Sequence, residues 1–157
     1  MAAAQGGEGA SMTDAEFYSG LVPEMAEAAK LHRSKCEHDG LPFVFTSGFR
    51  TWAQQMELYG HGRELTPDGW KVVDHVKVVT NALPDMDPHC RGAAYDIAAI
   101  FKEKIDWTRI DLFQAVAERM PAGLTWSGTW KGKLHEYGHY EWSAWRTLPV
   151  PKESQTF

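Results

Sequence analysis

The chain has 157 residues, 43% of them hydrophobic, and its 16 Lys+Arg against 21 Asp+Glu give a net charge of −5. That is the size of one domain with a core large enough to stand alone. The acidic balance, with no lysine or arginine stripe, excludes a nucleic-acid surface, and no apolar run approaches the ~18 residues of a membrane span.

Met1 to Ser11, small and glycine-rich, reads as a leader or flexible arm ahead of a start at Met12. No basic patch followed by an apolar core marks a signal peptide, so synthesis in the cytoplasm is expected. Thr13-Asp14-Ala15-Glu16 fits a capping box, and Met25, Ala28, Ala29, His32 and Cys36 keep helical spacing until Gly40. Phe43 to Ser47 reads as a strand, and Thr51 as the cap of a helix that ends near Gly60. Val72 to Thr80 is β-branched and reads as extended. Ala93 to Phe101 reads as a buried strand on which Ala94, Asp96 and Ala98 share one face. Leu112, Phe113, Val116, Ala117 and Met120 line an amphipathic helix stopped by Pro121 and Gly123. A last strand carries His139, and a loosely held tail starts at Thr147, with Pro149 and Pro151. The expected organisation is a leader over 1–11, one domain over 12–146 and a tail over 147–157. The fold class is α+β, a small antiparallel sheet flanked by helices, without internal repeats.

The residues that carry chemistry cluster in two places: His135-Glu136-Tyr137-Gly138-His139, and His89-Cys90-Arg91-Gly92-Ala93-Ala94-Tyr95-Asp96. They admit two metal sites. In the first, the downstream stretch is an HExxH helix with both histidines on one face and the glutamate as base. Gly132 and Gly138, the neighbouring tryptophans and the short remainder, with Glu141 and Glu153 as its carboxylates, argue against that helix. In the second, zinc takes His89, Asp96 and His139 with water in an open fourth position, and Glu136 serves as general base. Three protein ligands with an open position is catalytic rather than structural coordination. Two imidazoles and one carboxylate leave a residual charge of about +1, which lowers the pKa of a coordinated water towards ~7. Glu136 and His139 lie an odd number of positions apart, so the chain must bend between them, and Gly138 is where it bends most easily.

Asp87-Pro88-His89-Cys90-Arg91-Gly92-Ala93-Ala94-Tyr95-Asp96 resembles the SxHxxGxAxD element of the LAS metallopeptidases, the lysostaphin, D-Ala-D-Ala carboxypeptidase and Sonic hedgehog group. Glu136-Tyr137-Gly138-His139 is similar to their [DE]xxH element. Ser47-Gly48-Phe49-Arg50-Thr51-Trp52, running on to Leu58-Tyr59 and Gly62-Arg63, resembles the SGYR stretch of the branch that holds L-alanyl-D-glutamate endopeptidases and D-Ala-D-Ala carboxypeptidases. The three elements cover roughly residues 43 to 142 in the family's order. The resemblance implies that His89, Asp96 and His139 hold zinc, that Glu136 is the catalytic carboxylate and that Arg50 contacts the substrate carbonyl or oxyanion. It also implies a D-Ala-D-Ala peptidase/hedgehog-like fold acting on the peptidoglycan stem peptide. The chain departs at Asp87, where serine is usual.

The expectation is a zinc peptidoglycan peptidase, a phage-type endolysin cutting the L-alanyl-D-glutamate bond. It would be a monomer made in the host cytoplasm and would reach the wall after membrane permeabilisation. A D-Ala-D-Ala carboxypeptidase or dipeptidase, and a non-catalytic zinc-containing binding domain, are the alternatives. Arg50 has a physical case of its own: it falls at a strand-to-helix junction, where a guanidinium can be held on an oxygen that gains charge in the transition state. His135 is read either as an aid to substrate or base, or as an exposed strand residue. His32, His38, His61 and His75 are left unassigned. Trp126, Trp130 and Trp142 are read as core or cleft wall. Cys36 and Cys90 are too few for a disulfide framework and are read as reduced thiols.

Overall fold

The computed structural model describes residues 12–130 and 136–151. The leader, His135 and the end of the tail lie outside them. Helix α1 (Asp14–Ser19) starts at Thr13, whose side chain accepts from the Glu16 N–H, and ends at Gly20. Helix α2 (Pro23–His38) opens on its proline and buries Met25, Ala28, Ala29, His32 and Cys36 on one stripe. Strand β1 (Phe43–Ser47) leads to α3 (Trp52–Gly60), whose N-terminus is a reciprocal capping box between Thr51 and Gln54. Such a cap contributes about 1 kcal/mol.

Hairpin β2 (Arg63–Thr66) and β3 (Gly69–Val72) stands outside the main sheet. The extended run expected from Val72 to Thr80 stops at Val72. From Val73 the backbone turns, with the Val73 and Asp74 N–H groups donating to Gly62 O and the Val76 N–H to Asp74 Oδ1. β-branched residues favour extended backbone only where a neighbouring strand or a core takes up their groups, and Val76 here is 94% exposed.

Strand β4 (Ala94–Phe101) is the axis of the molecule, with short β5 (Lys104–Ile105) folded back on its end. Helix α4 (Ile110–Ala117), β6 (Leu124–Trp126) and β7 (His139–Trp142) complete the chain. The main sheet runs β1-β4-β7-β6 and is antiparallel throughout. One face of it is core. Tyr95, Ile97 and Ala99 of β4, Phe43 of β1 and Tyr140 of β7 pack there against α1, α2 and α4. His32, fully buried, donates from Nε2 to Val116 O and accepts from the Tyr95 hydroxyl at Nδ1, both at 2.8 Å. It is therefore a satisfied core histidine. Among the described residues no helix is long and apolar enough to cross a membrane.

Candidate metal centre

The other face of the sheet carries the chemistry, and strand register assembles it. Asp96 of β4 is paired directly with His139 of β7, so their side chains rise from one face as cross-strand neighbours. On the opposite edge, β1 pairs Phe45 with Ile97 and then, across a bulge, Ser47 with Asp96. Without that extra residue Ser47 would pair with Tyr95 and point into the core; the bulge turns it to the Asp96 side.

His89 comes from a 3-10 turn (Pro88–Arg91) that delivers the chain into β4. Asp87 caps this turn, its Oδ1 accepting from the His89 N–H at 2.7 Å, and Gly92 ends it with φ 65°. That left-handed conformation suits glycine. The turn is tied to the β1–α3 junction by Arg50 N–H donating to His89 O.

The result is a three-residue cluster. His89, Asp96 and His139 each offer one ligand atom, all within 4.8 Å of one another. His89 Nδ1 lies 2.8 Å from Gly48 O; a carbonyl only accepts, so Nδ1 carries a proton and Nε2 is the nitrogen that faces Asp96 Oδ2, at 3.4 Å. His139 Nδ1 lies 2.9 Å from Asp96 Oδ1, and its Nε2 lies 2.9 Å from Glu141 Oε1. Tetrahedral zinc with ligands at about 2.1 Å needs donors about 3.4 Å apart; His89 Nε2 and Asp96 Oδ2 stand at that distance, and His139 Nδ1 is closer to the carboxylate, at 2.9 Å. The set of two imidazoles and a carboxylate therefore fits a divalent cation.

Electrostatics agree. Burial opposes charge on Asp96, yet His89 and His139 hold its carboxyl well below the usual carboxylate range. Burial also opposes protonation of His139, but Asp96 and Glu141 raise its pKa to about 10. Asp96 is thus favoured as the anion and His139 as its cationic partner, which is the charge pattern of carboxylates that attract a positive group.

Arg50 reaches the same cluster. Its Nη2 stands 3.5 Å from Asp96 Oδ2 and 3.3 Å from Ser47 Oγ, while Nη1 stands 3.2 Å from Gln55 Oε1 and 3.9 Å from Asp87 Oδ2. Fully buried Gln55 also donates to Ala82 O at 2.9 Å, so the guanidinium is held on several sides. Asp87 thus caps the ligand turn as a serine could, and adds a negative charge beside Arg50.

Glu136 is half-buried at the start of the turn through Tyr137 and Gly138 that leads into β7. The expected bend is there. Close approach requires glycine there: a Cβ on Gly138 would meet Ile97 O at 2.3 Å, and Ile97 N–H donates to Gly138 O. A turn followed by a strand overturns the HExxH helix, which would need helical backbone from 135 to 139.

Among the remaining residues, Trp130 lies 5.3 Å from the His139 ring and is 39% exposed, which makes it cleft wall. Trp126 is half-buried and donates to Tyr137 O, and Trp142 packs against the core. Both cysteines are free and buried; burial pushes the Cys90 thiol up to about 12, so it is not a nucleophile. The contact that sequence reasoning missed is Glu141. Its signal was the i, i+2 spacing from His139, which on a strand puts two side chains on one face.

This fold and donor set define a metallopeptidase. The family model for VanY, D-alanyl-D-alanine carboxypeptidase, matches residues 19–146, and the chain belongs to that family. It is 28% identical over 141 residues to the peptidoglycan L-alanyl-D-glutamate endopeptidase CwlK of Bacillus subtilis (strain 168), covering 83% of this chain and 78% of that protein. The crystal structure of the Serratia marcescens L-Ala D-Glu endopeptidase ChiX matches with TM-score 0.61 and 20% identity over 83% of this chain and 86% of that one. A variant of the vancomycin resistance D,D-pentapeptidase VanY, solved in complex with Zn(II), matches with TM-score 0.54 and 18% identity, covering 78% and 72%. The likeness to these two structures shows the shared α+β fold.

Proposed function

We propose that the chain is a zinc-dependent peptidoglycan peptidase that hydrolyses the L-alanyl-D-glutamate bond of the stem peptide. The observation that carries this reading is the convergence of His89, Asp96 and His139 on one point with Arg50 beside them. The names of CwlK and ChiX support the choice of bond, and the Zn(II) complex of VanY supports the choice of metal.

His89, Asp96 and His139 would hold the zinc, which when bound supplies Lewis-acid polarisation of the scissile carbonyl and lowers the pKa of a coordinated water towards ~7. Glu136 acts as the base that takes the water's proton and returns it to the leaving amine. Arg50, its guanidinium fixed by Ser47 and Gln55, stabilises the oxygen that gains charge in the tetrahedral transition state. Trp130 walls the site. We assign these roles to one unit spanning 12–146, acting as a monomer on the wall polymer, and extend the reading to an endolysin of phage type.

The family description favours a second reading, a D-alanyl-D-alanine carboxypeptidase using the same centre. Purified sacculi treated with the zinc-loaded protein and resolved by mass spectrometry separate the two. Endopeptidase action leaves L-alanine on the glycan and frees a peptide beginning with D-glutamate. Release of terminal D-alanine alone assigns the carboxypeptidase. Lysis of membrane-permeabilised bacteria by added protein tests the endolysin role.

A further inference from the structure

We infer that Glu141 is a positioning residue that decides which nitrogen of His139 faces the metal; this rests on the metal-centre reading above. The two histidines are presented differently. His89 has Nδ1 tied to the Gly48 carbonyl and turns Nε2 inward, whereas His139 turns Nδ1 towards Asp96 and has Nε2 tied to Glu141. An imidazole offers a metal one lone pair, and the nitrogen that keeps its proton is chosen by whichever acceptor it meets. For His89 the acceptor is backbone. His139 meets a carboxylate at each nitrogen; Asp96 is itself a ligand on the metal-centre reading, which leaves Glu141 as the acceptor that keeps the proton, a side chain that can be removed.

The surroundings leave Glu141 committed to that task. It follows His139 by two positions on β7, on the same face. Its cross-strand neighbours are Ala94, which carries only a methyl group, and Thr125, whose hydroxyl is 2.7 Å from Ser143 Oγ. The Glu141 side chain is 12% exposed, and among the described residues His139 is the partner it meets at hydrogen-bond distance. A carboxylate largely removed from water needs such a partner. Its charge also makes Nδ1 a stronger donor, beyond fixing the ring's rotation.

The test compares zinc affinity, by competition with a chromophoric chelator, for the wild type, Glu141→Ala, Glu141→Gln and His139→Ala. Glu141→Ala weakens zinc by about 10- to 100-fold, the usual cost of removing an outer-shell partner. Glu141→Gln recovers most of this, because its amide oxygen still accepts from Nε2–H. A Glu141→Ala protein that binds zinc within about threefold of wild type overturns the inference. Histidine-ring 15N shifts of the zinc-loaded wild type add a measurement that needs no variant: His139 coordinates through Nδ1 and keeps its proton on Nε2. Coordination through Nε2 overturns it as well. Wild-type protein that does not hold zinc, or His139→Ala that holds it as tightly, overturns the metal-centre reading itself.

Discussion

Arg50 Nη2 lies 3.5 Å from Asp96 Oδ2, so the carboxylate that faces both histidines also aims the guanidinium. At an effective dielectric of about 20, unit charges ~4 Å apart attract by roughly 4 kcal/mol, before the cost of removing them from water. One residue on a central strand therefore orients the candidate metal site and a guanidinium together. Arg50→Ala is expected to lower turnover by about 100- to 1000-fold while zinc stoichiometry stays at the wild-type value. Arg50→Lys restores charge but not the planar fork and recovers only part. Turnover on muropeptides with parallel metal analysis checks both, and loss of zinc in Arg50→Ala would show that the arginine is structural.

The ligand assignment is checked by metal content alone. His89→Ala and Asp96→Ala are each expected to lose zinc retention, since two remaining donors do not make the three-ligand site. His135→Ala keeps it. Zinc retained in His89→Ala but lost in His135→Ala would restore the helical HExxH site.

Glu136→Ala separates binding from chemistry. It is expected to retain zinc and to lose hydrolysis by at least ~100-fold, the usual contribution of a positioned general base. Single-turnover assays on zinc-loaded protein measure it, and near-wild-type rates would place the base elsewhere.

Gly138→Ala tests the bend before β7. The added Cβ would sit 2.3 Å from Ile97 O, a backbone atom held in the central strand, so β7 must shift. A loss of about 2–3 kcal/mol in unfolding free energy is expected, with weaker zinc binding because His139 is the next residue. Chemical denaturation checks it.

The buried imidazole of His32 gives the fold an acid sensitivity. Burial lowers its pKa from 6.5, with Lys35 acting in the same direction against the bond to Val116. The unfolded chain therefore takes up this proton first, and as pH falls below about 6.5 protonation favours unfolding until the folded-state pKa is reached. Unfolding of zinc-free protein between pH 7 and 5 is expected to show a steeper loss of stability in wild type than in His32→Gln. Parallel curves would show that His32 does not titrate differently in the two states.

How much was legible in advance varied by element. Thr51 announced the start of α3, the alternation around Asp96 announced β4, and the odd spacing of Glu136 and His139 demanded the bend that Gly138 makes. These are local signals, carried by neighbouring residues. Val72 to Thr80 misled because β-branched residues report a preference, while a strand requires a partner, and only the hairpin β2–β3 provided one.

The linear order of residues by itself determined the donor types, two imidazoles and a carboxylate with a glutamate near the second imidazole, because side-chain chemistry and spacing are written in it. What the tertiary structure alone decided is which atoms meet. Pairing of Asp96 with His139 depends on the register between strands 43 residues apart, and the inward turn of Ser47 depends on a bulge. Register and bulges arise from packing both faces of a sheet at once, so no local stretch of sequence contains them.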